Sequence, residues 1–287
     1  MQRAKIDLES KKAEAIRRLR ECGSVMVAFS GGVDSAVLLS LAIEALGPDR
    51  VLAVTGRSPS LPSGELERAA EIARELGARH EVVETHEIDR DDYRANRGDR
   101  CFHCRTELFE VLGNLLKKRG ISTIAYGAIT DDEGDFRPGM RAAERHAVRA
   151  PLLECGISKR EVRMLAEWTG LSARDKPASA CLASRIPVGD EVTAERLAQV
   201  DRAERSLREL GFEQLRVRHH GEIARLELDP SGDRRLTDPR ARAAVVRAVK
   251  EAGFRYVALD LEGYRSGSLN PVGSRLHSIR PAREGGQ

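Results

Sequence analysis

Two short stretches hold the residues best suited to chemistry. Asp99 to Glu107 reads DRCFHCRTE, a CxxC pair formed by Cys101 and Cys104, and Ser30 to Ser35 reads SGGVDS. A CxxC pair can contribute to a zinc site, act as a dithiol redox couple, or supply thiolates to an iron–sulfur cluster. A structural zinc site needs four ligands, and the remaining Cys22 and Cys155 lie in segments without a second CxxC or histidine pair. A redox pair opens a helix directly after a strand, whereas this one follows the polar run DRDDYRANRGD, with a helix expected only from about Arg105 to Arg119. A cluster tolerates ligands from distant segments, and Cys181 in ASACLASR is available as a third thiol. The residues by themselves leave zinc and cluster open, while Cys22 and Cys155 read as small buried apolar side chains.

SGGVDS has a different chemistry. Two glycines let the backbone approach a phosphate, amides at a helix start donate to it, and Ser30 and Ser35 add hydroxyls. No lysine follows, so this is not a Walker A loop, and no GxGxxG is present. The plainer account is a tight turn with Asp34 or Ser35 capping a helix. Its position between a strand and a helix favours the phosphate cradle.

These stretches need elements to hold them. SVMVAFS is an apolar, β-branched run, SGGVDS interrupts it, and AVLLSLAIEALG reads as a buried helix closed by glycine. The β-loop-α pattern continues through VLAVTG, GELERAAEIARELG, HEVVETHEI and STIAYG. Alternation of this kind predicts an α/β fold with a mostly parallel sheet covered on both faces. From Gly127 to Gly189 the chain reads as loop, apart from the amphipathic helix KREVRMLAEWTGL. Past Val192 the order helix, strand, strand, helix, strand predicts a smaller α+β domain with about three strands. Expected boundaries are 1–190, 191–275 and a flexible tail over 276–287.

Composition agrees with a globular chain: 287 residues, 41% of them hydrophobic, are enough for a sizeable core. A net charge of +3 spread over 32% charged residues describes a mixed solvated surface, so no nucleic-acid partner is expected. The first helix lacks a signal-peptide core and no run approaches membrane-spanning length, so a cytoplasmic protein without membrane contact is expected. In that reducing compartment the five cysteines are not expected to form structural disulfides.

With SGGVDS after its first strand, the chain resembles the PP-loop, or N-type ATP pyrophosphatase, superfamily. The resemblance implies a Rossmann-like domain that cleaves ATP between the α and β phosphates and adenylylates a substrate oxygen, after which a nitrogen or sulfur nucleophile displaces AMP. Carried onto this sequence, Ser30, Gly31, Gly32, Asp34 and Ser35 would grip the β and γ phosphates with Mg2+, Asp34 serving the metal. Backbone near Ala28, Thr55 and Gly127 would frame the adenine.

Further stretches narrow the likeness. GAITDDEGDFRPGMRAA, DKPASACLASRIPVG, ERSLRELGF, RVRHHGEIARLEL and YVALDLEGYRSGSLN are similar to the LarE family of ATP-dependent sulfur transferases. They extend the likeness over most of the chain from Val25 to Asn270. The implied substrate is pyridinium-3,5-biscarboxylic acid mononucleotide, one carboxylate of which becomes a thiocarboxylate in nickel-pincer nucleotide cofactor biosynthesis. Arg216 and Arg218, two apart on a strand and so on one face, would hold the substrate phosphate, with Arg185 and Glu204 as further pocket residues. The competing accounts are a solvated strand edge for the arginines and a surface ion pair for Glu204. Asp131, Asp132, Glu133 and Asp135 fit either a Mg2+ or ribose contact or a solvated turn, and His103, His219 and His220 read as exposed and satisfied.

The cluster-binding branch of that family implies a 4Fe-4S cluster on Cys101, Cys104 and Cys181, with one iron left to carry an extra sulfide. The other branch lacks the CxxC and donates sulfur from its own cysteine, becoming dehydroalanine; Ala180 stands at that position here, one place before Cys181. Sacrificial donation from Cys181 is therefore the alternative. The resemblance also implies a homo-oligomer and leaves the source of sulfide open. A tRNA thiolase would want a concentrated basic face, an ammonia-fed synthetase has no need of three thiols, and a redox sensor would bind ATP without turning it over.

Overall fold

The computed structural model describes residues 2–132, 138–175 and 180–265. Glu133 and Asp135 of the acidic run, and the tail expected over 276–287, lie outside the described residues. The chain opens with α1 (Gln2–Glu21), β1 (Val25–Ala28), α2 (Val33–Leu46), β2 (Val51–Arg57), α3 (Glu65–Glu75) and β3 (Arg79–Glu84). It continues through α4 (Asp91–Arg94), α5 (Arg100–Arg119), β4 (Thr123–Tyr126), α6 (Pro138–Arg145), α7 (Pro151–Glu154) and α8 (Lys159–Trp168). Then come α9 (Ala194–Glu209), β5 (Leu215–His220), β6 (Ile223–Leu228), α10 (Pro230–Arg235), α11 (Pro239–Glu251) and β7 (Tyr256–Leu259).

The first four strands form a parallel sheet in the order β3-β2-β1-β4. β1 is apolar throughout because both of its faces are covered: Val25 and Val27 join a core with α2 and α8, while Met26 joins a second core with Phe109 and Leu112 of α5. The second sheet, β5-β6-β7, pairs β5 antiparallel and β7 parallel to β6, and α9 and α11 pack against it. That smaller core also recruits Tyr93, Leu182, Ala183 and Ile186 from earlier in the chain.

Two stretches differ from the sequence expectation. GMRAAE, expected as loop, lies in α6, where a proline at the first helical position and good helix formers behind it start a helix. α5 begins at Arg100 rather than about Arg105, so the CxxC occupies its first turn. Asp99 precedes that turn, its carbonyl accepts from Phe102 N and its carboxylate meets His103 Nε2 at 3.2 Å. The polar run that seemed to separate the cysteines from a helix is instead the entry to one.

Candidate active site

Strand order reverses direction between β1 and β4, and in open α/β sheets the crevice at the carboxyl ends beside such a point is where ligands bind. SGGVDS leaves β1 at this place and Gly127 leaves β4. Gly31 is left-handed, with φ of 66°, and a Cβ there would lie 2.9 Å from Ala69 Cα of α3. A Cβ on Gly127 would lie 2.9 Å from the Asp34 carbonyl carbon and from Ser35 N, so the two loops touch backbone to backbone. Within the loop, Ser35 Oγ donates to Gly32 O at 2.9 Å, Ser30 N donates to Ser35 Oγ at 3.3 Å, and Gly32 N donates to Ser30 Oγ at 3.3 Å. These bonds curl the loop over the start of α2, whose first amides are the natural phosphate donors.

Ala28 ends β1 half-buried, and buried Thr55 near the end of β2 donates its hydroxyl to Phe29 O at 2.7 Å. Thr55 also meets His80 Nε2 at 2.8 Å, and burial pushes the His80 imidazole below its ordinary pKa, which favours the neutral ring. Ala28, Thr55 and Gly127 thus share one end of the sheet with SGGVDS.

A residue that the sequence did not single out joins this group. Lys159, the first residue of α8, places Nζ 2.8 and 2.7 Å from the two carboxylate oxygens of Asp34. Its backbone N donates to Asp131 Oδ2 at 2.7 Å, and Asp132 Oδ2 accepts from Ile129 N at 3.1 Å, so both aspartates shape the turn after β4. Ser158 caps α8 in a reciprocal box with Glu161, and Lys11 of α1 reaches Glu161 at 2.8 Å. Serine at the helix start with glutamate three on is a cap signal visible in the sequence; the bond across 125 positions to Asp34 is not.

The cysteines singled out in the sequence come from two segments, the start of α5 and the turn before Leu182. Cys101 is exposed, Cys104 sits one turn on and half-buried, and Cys181 is exposed just before a 3-10 turn over Leu182–Arg185. Leu182 N donates to Ser60 O at 2.9 Å, which fastens this turn to the loop after β2. Ser60 Oγ in turn donates to buried Glu87 at 2.7 Å. Burial pushes the Cys104 thiol well above its ordinary pKa, with the charge of Glu87 adding to the shift, and Cys104 packs against the core that holds Leu182 and Ala183, the two residues after Cys181. Burial likewise raises Tyr93, with Cys181 the next contributor. Asn96 completes the approach: buried, with φ of 50°, it donates from Nδ2 to Pro187 O at 2.6 Å and to Asp190 O at 3.0 Å. The chain before the CxxC is thereby clasped to the chain after Cys181. Among the described residues no three His, Cys, Asp or Glu side chains converge as ligands of a single metal ion. All five cysteines are free thiols. Soft, reduced donors from two segments suit a cluster, whose ligands stand further apart than those of one ion.

Arg185 and Glu204 are not on a solvated face. Both are fully buried and joined by two bonds, Nε to Oε1 at 2.8 Å and Nη2 to Oε2 at 3.0 Å, so the competing account of Glu204, a surface ion pair, is corrected to a buried one. Burial alone would raise the Glu204 carboxyl, but the hydrogen bond and charge of Arg185 hold it below its ordinary pKa. Arg218 is 5% exposed, bound to Glu227 at 2.7 Å and to Ser184 O at 2.9 Å. Arg216 is half-buried over the Tyr264 ring, and burial together with Arg185 lowers its pKa, as expected for a cation among cations. Arg185 and Arg218 each face a buried carboxylate, Glu204 and Glu227, and Arg216 adds a half-buried cation beside them, a setting that favours an anion. His219, expected to be exposed, is buried and meets Gln199 Oε1 at 3.2 Å. No helix among the described residues is long and apolar enough to cross a membrane.

Comparison with known proteins follows this division of the chain. The NAD synthase family profile matches residues 13–121, the part that carries SGGVDS and the first three strands. An argininosuccinate synthase of Natronomonas pharaonis is 30% identical over 158 residues, 51% of this chain and 39% of its own length. Other relatives cover far more. An uncharacterised protein of Synechocystis sp. is 42% identical over 265 residues, 92% of this chain and 98% of its own. Pyridinium-3,5-bisthiocarboxylic acid mononucleotide synthase of Lactiplantibacillus plantarum is 37% identical over 265 residues, 92% of this chain and 95% of its own.

Proposed function

The chain belongs to the LarE family, that of the pyridinium-3,5-bisthiocarboxylic acid mononucleotide synthase, and from that membership we propose that it carries out ATP-dependent sulfur insertion into pyridinium-3,5-biscarboxylic acid mononucleotide. The observation that carries the reading is the bond from Leu182 N to Ser60 O, which fastens Cys181 to the same carboxyl end of the sheet as SGGVDS. Activation and sulfur delivery then share one crevice.

The substrate carboxylate attacks the α phosphorus of ATP, the α–β bridging bond breaks, and pyrophosphate leaves with the electron pair. Amides of Gly31 and Gly32 and the hydroxyls of Ser30 and Ser35 hold the departing phosphates, where charge accumulates in the transition state. Asp34 would hold Mg2+ there, with Lys159 moving from the carboxylate toward the phosphates. A hydrosulfide-type nucleophile then attacks the acyl carbon, the C–O bond to AMP breaks, AMP departs with the pair, and a proton is released. Arg216 and Arg218 are proposed to hold the substrate phosphate. A 4Fe-4S cluster on Cys101, Cys104 and Cys181 would supply the nucleophilic sulfide. Use of the cofactor in nickel-pincer biosynthesis, a cytoplasmic location and self-association belong to the same proposal, the last supported by Ile223, Tyr256 and Leu259, exposed on β6 and the edge strand β7.

Anaerobic incubation with ATP, Mg2+, the dicarboxylate mononucleotide and sulfide is expected to yield AMP, pyrophosphate and thiocarboxylate. ATP binding without substrate-dependent AMP release would overturn the reading. The exposure of Cys181 keeps sacrificial donation as a second reading. Mass spectrometry after one turnover separates the two, since loss of hydrogen sulfide from Cys181 identifies the sacrificial route.

A further inference from the structure

We infer that Arg185 and Glu204 are positioning residues that fix Cys181 against the arginine strand β5, rather than contacts for the substrate. Fully buried, Arg185 has no solvent-facing edge to offer a phosphate. Its Nε and Nη2 donate to Glu204, and its Nη1 lies 2.7 Å from Ala180 O, 2.9 Å from Cys181 O and 3.0 Å from Ser184 Oγ. The guanidinium fork therefore grips the main chain on both sides of the Cys181 α carbon. Glu204 is equally occupied: besides Arg185 it accepts from Val217 N at 3.1 Å and from Arg208 Nη2 at 2.7 Å. A carboxylate has about four lone-pair sites, and these bonds fill them.

Val217 lies between Arg216 and Arg218, so a single chain of bonds, part-buried at Cys181 and buried beyond it, runs from the Cys181 carbonyl through Arg185 and Glu204 to the strand that carries both arginines. A second tie runs parallel to it, from Arg218 Nη1 to Ser184 O at 2.9 Å. Charged forks are directional in a way that apolar packing is not, so this linkage sets the distance between the thiol and β5. Misplacement of about 1 Å at a reacting centre can cost on the order of a hundredfold in rate.

The inference rests on the reading that Cys181 takes part in the sulfur step, and the test separates the two. The iron-free, reduced full-length protein is alkylated at constant pH without ATP or substrate, with Cys101 and Cys181 followed by peptide mass spectrometry. Arg185→Lys keeps the charge but loses the fork; it is expected to change the Cys181 rate by about fivefold or more while Cys101 stays within about twofold. In turnover, the same variant is expected to lower kcat for sulfur transfer roughly 10- to 100-fold with KM for the mononucleotide within about threefold. Ser184→Ala, which removes only a hydroxyl at the edge of the fork, serves if Arg185→Lys fails to fold, with a change of about threefold or more at Cys181 expected, beyond the roughly twofold allowed to Cys101. An unchanged Cys181 rate in a folded variant overturns the inference, as does a parallel shift at both cysteines. A rise in KM with kcat unchanged overturns it in favour of direct substrate contact. If alkylation responds and sulfur transfer does not, the positioning stands and the role of Cys181 in the reaction falls.

Discussion

The proposed nucleotide loop and the proposed thiol region are built in opposite ways. SGGVDS draws on six consecutive residues, main-chain amides and two hydroxyls, on a turn set by glycine geometry. The thiol and arginine region draws on Cys101, Cys104, Cys181, Arg185, Glu204, Arg216 and Arg218, joined by charges inside the protein. One is mostly local, with a single partly exposed ion pair from Asp34 to Lys159 at its rim; the other is distributed and ionic. A local cradle fails when its own backbone is altered, whereas a distributed one fails when any single partner is left buried without its counter-charge.

That contrast can be broken most sharply at Glu204. Glu204→Leu leaves Arg185 and Arg208 facing each other, and urea unfolding is expected to show a loss of about 3–5 kcal/mol. Replacing both partners together, as Arg185→Met with Glu204→Leu, is expected to restore most of that stability while sulfur transfer stays impaired. Recovery of both would mean that the ion pair does no more than fill space. At the local cradle, Gly31→Ala forces a side chain into the left-handed region, a penalty of about 1–2 kcal/mol, and puts a Cβ against Ala69. Calorimetry is expected to show ATP binding abolished, and retained affinity would remove the loop from the nucleotide site. Lys159→Ala breaks a partly exposed pair whose worth to stability is about 0–1 kcal/mol, so the unfolding midpoint should barely move. KM for ATP is nevertheless expected to rise several-fold, roughly 1 kcal/mol of lost charge-assisted binding.

The smallest effect is in pH. Burial lowers His80 on the nucleotide side and His219 and His220 on the other, so each binds a proton less readily folded than unfolded. Their stabilising effect is complete above the unfolded histidine pKa of about 6.5 and declines as pH falls below it. Glu204, held low by Arg185, contributes above the unfolded glutamate pKa of about 4.3 and is lost only in stronger acid. Urea midpoints are therefore expected to slip modestly between about pH 6.5 and 5 and more steeply below about pH 4.3. A flat profile down to pH 5 would show that the histidines are not titrating as their burial requires.

The same contrast decides how much could be read in advance. The sheet, SGGVDS and the helix at Lys159 follow from local pattern, because strand periodicity, a glycine turn and a capping box are written in neighbouring residues. The start of α5 does not, since a polar entry hides a helix whose buried positions begin only at Thr106 and Phe109. Glu204 had a usable signal. It falls seven residues after Leu197, four after Val200 and three before Leu207, on the apolar stripe of α9, where a solvated glutamate has no place. The Lys159 bond to Asp34 and the Asn96 clasp join positions too far apart for spacing to reveal.

The Asn96 clasp also imposes an order in time. Residues 94–100 cannot take their native arrangement until Pro187 and Asp190 exist to receive the Asn96 amide. At synthesis rates of about 5–20 residues per second, Cys181 follows Cys104 from the ribosome after roughly 4–15 s. Throughout that interval Cys101 and Cys104 travel without Cys181, so the proposed three-thiol site cannot form until synthesis has passed Cys181.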